Sequence, residues 1–279
     1  ACAAGTMLPK RVPFGVLLGA TKPASFELLD SIRTEFETNE LLLADFPEAC
    51  YPIRKLEGTN QKRMFFEGKP VRCKVMKEMI LLPNLPGAKS AGAIIRTAGL
   101  TGRVRGMKYT RTDGSIVRPS FVIPDDPQTD KSARSDNAVA KLDRLIRGAV
   151  LGLAGPGKAI AAVMPCTIIR RGDLADSYLD RQKNPDWHGR KSGLLKSMPT
   201  DMELWQQYWE IRANGLRAGD GGKAGNVFYK KHRTAMDAGA VANWPERYKP
   251  DELSAIQHFM NLYLTDRLAA LAEYQNDPE

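Results

Sequence analysis

The feature that most limits how this chain can fold is a set of short apolar runs that do not alternate with polar residues: Val12–Ala20, Gly92–Ala98, Phe121–Ile123 and Lys158–Met164. A strand wet on one face alternates, whereas a near-continuous run needs cover on both faces, which is the habit of parallel sheets. Helical text lies between them. Thr21 can cap and Pro23 can open a helix over about 23–39, with Phe26, Leu29, Ile32 and Phe36 at helical spacing. Ser135 or Asp136 can cap a second, whose apolar face is Leu142, Leu145, Ile146, Ala149, Val150 and Leu153 and which Gly155-Pro156-Gly157 stops. Asp173 can cap a third, running to about Gln182. The order strand, helix, strand, helix predicts an α/β fold with a doubly wound parallel sheet flanked by helices. The irregular stretch from Tyr51 to Pro86 reads as an extended, hairpin-like insertion.

Beyond Pro199 the text changes. Thr200-Asp-Met-Glu203 reads as a capping box for a helix with the stripe Leu204, Trp205, Tyr208 and Ile211. Gly219–Gly222 is a break, and Asp251–Leu264 and Asp266–Tyr274 read as further helices. The expected division is therefore a core over 1–199 and a C-terminal helical subdomain or linker over 200–279. Trp205, Trp209 and Trp244 are expected to be packing residues.

With 279 residues and 43% hydrophobic content the chain can bury a sizeable core. No run of about 18 apolar residues exists, so no membrane span is expected, and a cytosolic setting is. Cys2, Cys50, Cys73 and Cys166 form no Cys-x-x-Cys pair and the three histidines form no metal-binding spacing, which argues against zinc. Cys50 and Cys73 read as small buried hydrophobes. The net charge of +9 favours a polyanionic partner. Between Arg96 and Arg118 lie Arg96, Arg103, Arg105, Lys108, Arg111 and Arg118 against only Asp113, a candidate phosphate contact or, with equal force, a solvated basic hairpin.

The chemistry concentrates at Ser120–Gln128, where the apolar run ends in Asp125 and Asp126. A buried strand can release two carboxylates at its carboxyl end, where α/β sheets bind ligands. One can hold Mg²⁺ and the other can orient an attacking water. The same letters also suit an Asp-Asp-Pro turn without chemistry. Gly152–Lys158 matches Gly-x-x-x-x-Gly-Lys, but Ala159 stands where Ser or Thr would hold Mg²⁺, and the segment ends a helix instead of opening one. No other such loop occurs. If Asp125 and Asp126 are a Walker B pair, the Walker A loop is expected upstream of Ala1, in keeping with a start that lacks Met.

Several segments together resemble the large terminase subunits of tailed bacteriophages: Gly102-Arg-Val-Arg-Gly106, Val122-Ile-Pro-Asp-Asp-Pro-Gln-Thr-Asp130, Met164-Pro-Cys-Thr167, Gly172-Asp-Leu-Ala-Asp176, Trp244-Pro-Glu-Arg247 and Glu273-Tyr-Gln-Asn276. The resemblance covers nearly the whole chain and implies the ATPase portion, a P-loop NTPase-type (RecA-like) sheet, between a P-loop and a nuclease domain. It implies ATP and Mg²⁺ as cofactors, with Asp125 on the metal and Asp126 where such ATPases often place a catalytic Glu. It also implies Thr167 in a nucleotide-sensing motif, and Arg105, with Arg103 as runner-up, reaching a neighbouring subunit's nucleotide. The implied partners are double-stranded DNA, a homo-oligomeric ring, a small terminase subunit and a portal protein, in the host cytoplasm. Without a P-loop the chain alone is expected to hydrolyse ATP poorly or not at all. Pro124 departs from the Ile, Leu or Val usual in the family, and proline removes a ladder hydrogen bond. Two other readings stay open: a non-catalytic DNA-binding or scaffold protein keeping an ATPase-like sheet, and a metal-dependent nuclease, which needs further carboxylates that no other strand end supplies.

Overall fold

The computed structural model describes residues 12–279 apart from Thr101 and Arg103. They form two compact units that divide between Cys166 and Thr167. Residues 167–199, which the change in sequence character at Pro199 assigns to the first part of the chain, cluster instead with the helical unit.

The first unit opens with β1 (Phe14–Gly19) and helix α1 (Lys22–Thr38), which Thr21 caps by accepting from the Ala24 amide. Helices α2 (Glu40–Asp45) and α3 (Pro47–Arg54) follow. The expected insertion is then two hairpins, β2 (Met64–Phe66) with β3 (Lys69–Val71), and β4 (Lys74–Met76) with β5 (Met79–Leu81). The chain continues through β6 (Ile94–Gly99), a small hairpin β7 (Tyr109–Thr110) and β8 (Ile116–Val117), and β9 (Phe121–Asp125). After α4 (Asp130–Ala133), α5 (Asp136–Leu145) runs on through a π turn over Ile146–Val150 and a 3-10 turn over Leu151–Ala154. Ser135 caps α5, as expected. The unit closes with β10 (Ala161–Ala162).

The main sheet has six strands in the order β10-β9-β1-β6-β5-β4. Pairings β10–β9, β9–β1 and β1–β6 are parallel, while β5 and β4 add antiparallel. The sheet is thus mostly parallel, with part of the insertion as its far edge. Leu17, Ile95, Phe121 and Ile123 share a core with Leu29, Ile32 and Phe36 of α1 and Cys50 and Ile53 of α3. Val16, Leu18, Ile94 and Val122, on the other face, are buried as well. Cover on both faces is why these strands carry no alternation.

Two glycines fix how α1 meets the sheet. A Cβ on Gly99 would lie 2.5 Å from the Lys22 amide nitrogen, and one on Gly19 would lie 2.7 Å from that of Ser25. The first turn of α1 therefore rests directly on the carboxyl ends of β1 and β6. Thr97 ties it down, its hydroxyl donating to the Ser25 carbonyl at 2.7 Å.

The second unit contains α6 (Leu174–Ser177), β11 (Leu195–Ser197), α7 (Met202–Arg217), α8 (Lys223–Met236), β12 (Val241–Ala242), α9 (Ala255–Thr265) and α10 (Arg267–Ala269), the last running into a π turn over Ala270–Tyr274. Its core joins Trp205, Tyr208, Tyr229, Met236, Phe259 and Met260. The Trp205 indole N–H donates to the Met236 carbonyl at 2.7 Å. A buried polar chain crosses this core: Gln257 donates to the Tyr208 hydroxyl, which donates to Asn261, which donates to Glu252, and Glu252 meets His258 Nδ1 at 2.6 Å.

Several expectations need correction here. Lys158–Met164 is no buried strand: only Ala161–Ala162 pairs, and Val163 is 45% exposed. Asp173 does cap a helix, but it stops at Ser177. Asp201, not Thr200, caps α7, because the Thr200 hydroxyl is turned to the Ala238 carbonyl. Trp205 packs as expected, whereas Trp244 is exposed beside Arg247.

Candidate active site at the end of the acidic strand

β9 is an inner strand, and its last residue, Asp125, stands level with Gly19 of β1, which in turn stands level with Gly99 of β6. The carboxyl ends of three parallel strands thus come together, and Asp125 is the acid among them. Phe121, Val122, Ile123 and Pro124 are buried, Asp125 is half-buried, and Asp126 is exposed. Asp126 has φ 43°, in the left-handed region that side chains other than Gly, Asn and Asp rarely enter. That sharp turn lets two adjacent carboxylates leave the strand end. Pro127 and Gln128 are buried beyond it, and Thr129 with Ser132 forms a capping box on α4 that fixes the exit. Burial, and then the neighbouring Asp126 charge, hold the Asp125 carboxyl above its ordinary value. A cation would relieve both.

Pro124 has a specific structural consequence. Along the β9–β10 pair, the Ala161 amide donates to the Ser120 carbonyl and the Val163 amide to the Val122 carbonyl. The next donor in that series is residue 165, a proline. In the reverse direction the Asp126 amide donates to the Pro165 carbonyl at 3.0 Å. The rung before it would start from residue 124, also a proline. Neither rung has a donor, so the ladder is interrupted for one level beside the acidic pair and resumes at Asp126. The missing N–H of Pro124 faces the Val163 carbonyl, and that of Pro165 faces the Pro124 carbonyl, so the two prolines confine the loss to adjacent rungs of the short β9–β10 pair. The same gap explains why β10 is only two residues long.

The other candidates lie outside β9 and its turn. Arg105 lies in a turn between buried Val104 and Met107, and its own side chain is exposed. It forms no ion pair among the described residues. Arg103 lies outside the described residues. Thr167 is half-buried and begins the second unit. The Gly152–Lys158 segment begins within the helical run that ends at Ala154, and Gly155 packs under the Arg118 side chain, where a Cβ would lie 3.0 Å from Cδ. It has neither the position nor the opening of a phosphate loop. Among the described residues no cluster of three or more His, Cys, Asp or Glu could hold a metal. The acidic pair is therefore a partial metal site at most, one that needs ligands from phosphate and water.

Sequence reasoning missed the basic residues that flank a groove at the far sheet edge, Arg63, Arg72 and Lys74, because they are scattered over two hairpins. Among the described residues no helix is long and apolar enough to cross a membrane. Neither a protein-family profile nor a curated protein matches the chain.

Proposed function

We propose that this chain is the ATPase portion of a DNA-packaging motor resembling the large terminase subunits of tailed phages. The observation that carries the reading is Asp125 and Asp126 leaving the carboxyl end of an inner strand in a mostly parallel sheet. In this reading Asp125 holds Mg²⁺ bound to the ATP phosphates, and Asp126 orients the attacking water. A raised carboxyl suits the first role, because the metal's charge offsets both burial and the neighbouring carboxylate. Exposed Arg105 is free to reach the nucleotide of an adjacent subunit in a ring, where such an arginine contributes about 10³ to 10⁵ in rate.

A second feature supports the same reading. Among the described residues β10 is an edge strand, and Ile160–Met164 carries neither charge nor proline to discourage a further strand. A strand added there would end in the neighbourhood of the acidic pair, where a phosphate-binding loop would meet the metal. The reading includes double-stranded DNA gripped through its backbone, with steep salt dependence and little sequence preference.

The test begins with the coding sequence upstream of Ala1, sought for Gly-x-x-x-x-Gly-Lys-Ser/Thr after an apolar strand. A protein extended to include it should hydrolyse ATP with Mg²⁺, and Asp125→Ala should abolish turnover. Retained ATPase in that variant rules out the metal role of Asp125.

A further inference from the structure

A trough in the first unit runs between hairpin β2–β3 and the β4 edge, lined by Gln61, Lys62, Arg63, Arg72, Lys74 and Asn84. A second concavity shares Arg72, Lys74 and Asn84 and continues to Tyr109, Arg111 and Asp113 on the β7–β8 hairpin. The walls of the two together carry five cations and one carboxylate. That carboxylate is already engaged: Asp113 accepts from the Ser115 amide at 2.9 Å and feels Arg111 beside it. Arg63, Arg72 and Lys74 form no ion pair among the described residues, and Lys62 has only a solvent-exposed contact with Glu57 at 3.4 Å.

The hairpin register sharpens the point. Met64 pairs with Val71 and Phe65 with Pro70, so one step further Arg63 stands opposite Arg72. Residues directly opposite share a face, which places Arg63, Phe65, Pro70 and Arg72 together on the outward side. Like charges opposite one another destabilise a ribbon, and no acid neutralises this pair. Phe65 is 61% exposed between them, while Met64 and Val71 anchor the other face of the ribbon. Two guanidiniums around an exposed ring suit a chain of phosphates with apolar sugar edges between them.

The trough is separate from the acidic pair. Lys74 pairs with Leu81, and Leu81 with Ile94, at the amino end of the parallel strands and on the β4 edge. Asp125 lies at the carboxyl end, one strand from the opposite edge.

We propose that this trough binds the phosphodiester backbone of duplex DNA, with Arg63 and Arg72 as its principal phosphate contacts. This rests on the DNA-contacting part of the proposed function, and because binding is assayed without nucleotide, its failure is distinguishable from failure of the ATPase reading. A labelled duplex of mixed sequence, titrated with the full chain from 50 to 200 mM salt, should bind with a steep salt slope and should be displaced by an unrelated duplex. The double variant R63Q/R72Q should lose on the order of tenfold affinity at 0.1 M salt and about two units of that slope. K230Q/K231Q, exposed on α8, should leave both unchanged. Wild-type binding by R63Q/R72Q overturns the assignment, as does polyglutamate competing as well as duplex at equal charge, which would mark an acidic-protein surface. Should the double variant fold poorly, photo-crosslinking of the wild-type chain to the duplex decides. Crosslinks within 61–74 support the trough, and crosslinks confined elsewhere overturn it.

Discussion

At the scale of the residue, Asp125 makes the clearest claim on stability. Its carboxyl is held above the ordinary value of 3.8 by burial first and by Asp126 second. The folded state therefore prefers the protonated acid. The stability this gives is complete below the ordinary value and is lost as pH rises through the folded one. At neutral pH the ionised group weakens the fold, so Asp125→Asn should raise Tm at pH 7 by about 1–3 °C and leave it unchanged near pH 3. A lower Tm at pH 7 would show that the carboxylate is satisfied and not strained. Cysteines make a second residue-level contrast. Burial pushes the Cys50 and Cys73 thiols up to about 11, whereas Cys166 is only half-buried. Iodoacetamide at pH 7.5 followed by peptide mass mapping should therefore label Cys166 well before the other two. The acidic pair and the buried cysteines were legible in the letters because each depends on its immediate neighbours. The cap at Asp201 was not, since Thr200 was as good a candidate until its hydroxyl found Ala238 across the fold.

At the scale of the element, the meeting of α1 with the sheet is set by absent side chains. Gly99→Ala puts a methyl 2.5 Å from a backbone nitrogen, which no rotamer relieves, and it should cost about 1–3 kcal/mol in urea unfolding. The β9–β10 gap can be probed from the other direction. Pro165→Ala supplies a donor facing the Pro124 carbonyl, and the amide of residue 165 should then be protected from hydrogen exchange. Net stability should change little, because a gained hydrogen bond of about 1 kcal/mol is set against the lost stiffness of proline. Rapid exchange at that amide would place the two strands too far apart for a rung. The extent of β1, α1 and β6 could be read from periodicity, since both sheet faces are covered. β10 could not, because its length depends on two prolines 41 residues apart in sequence, Pro124 and Pro165. The start of α8 carries no usual signal in the letters, because its N-cap is Gly222 and the Ala224 amide is capped by Asp220 from further back.

At the scale of the whole molecule, the chain is two compact units. The core of the helical one joins buried residues from Leu194 to Ala270, with Tyr274 packed against them and Trp205, Tyr208 and Tyr229 at its centre. Residues 167–279 produced alone should therefore show helical circular dichroism and a single cooperative thermal transition; a broad, non-cooperative melt would mean that this unit needs the other to fold. Fold class could be read from sequence because continuous apolar strands leave few alternatives. The division at Cys166 could not, because no glycine-rich or charged linker marks it.

The unguarded flank of β10 has a practical consequence for anyone handling the protein. Among the described residues, backbone groups on that side of Ile160–Met164 have no strand partner within the sheet, and Val163 lies open beside them. Two copies meeting flank to flank would satisfy each other's backbone and cover each other's valine. Turbidity and light scattering should rise with protein concentration even though a net charge of +9 keeps molecules apart. A short apolar peptide able to lie along that flank should suppress the scattering and serve as a formulation aid.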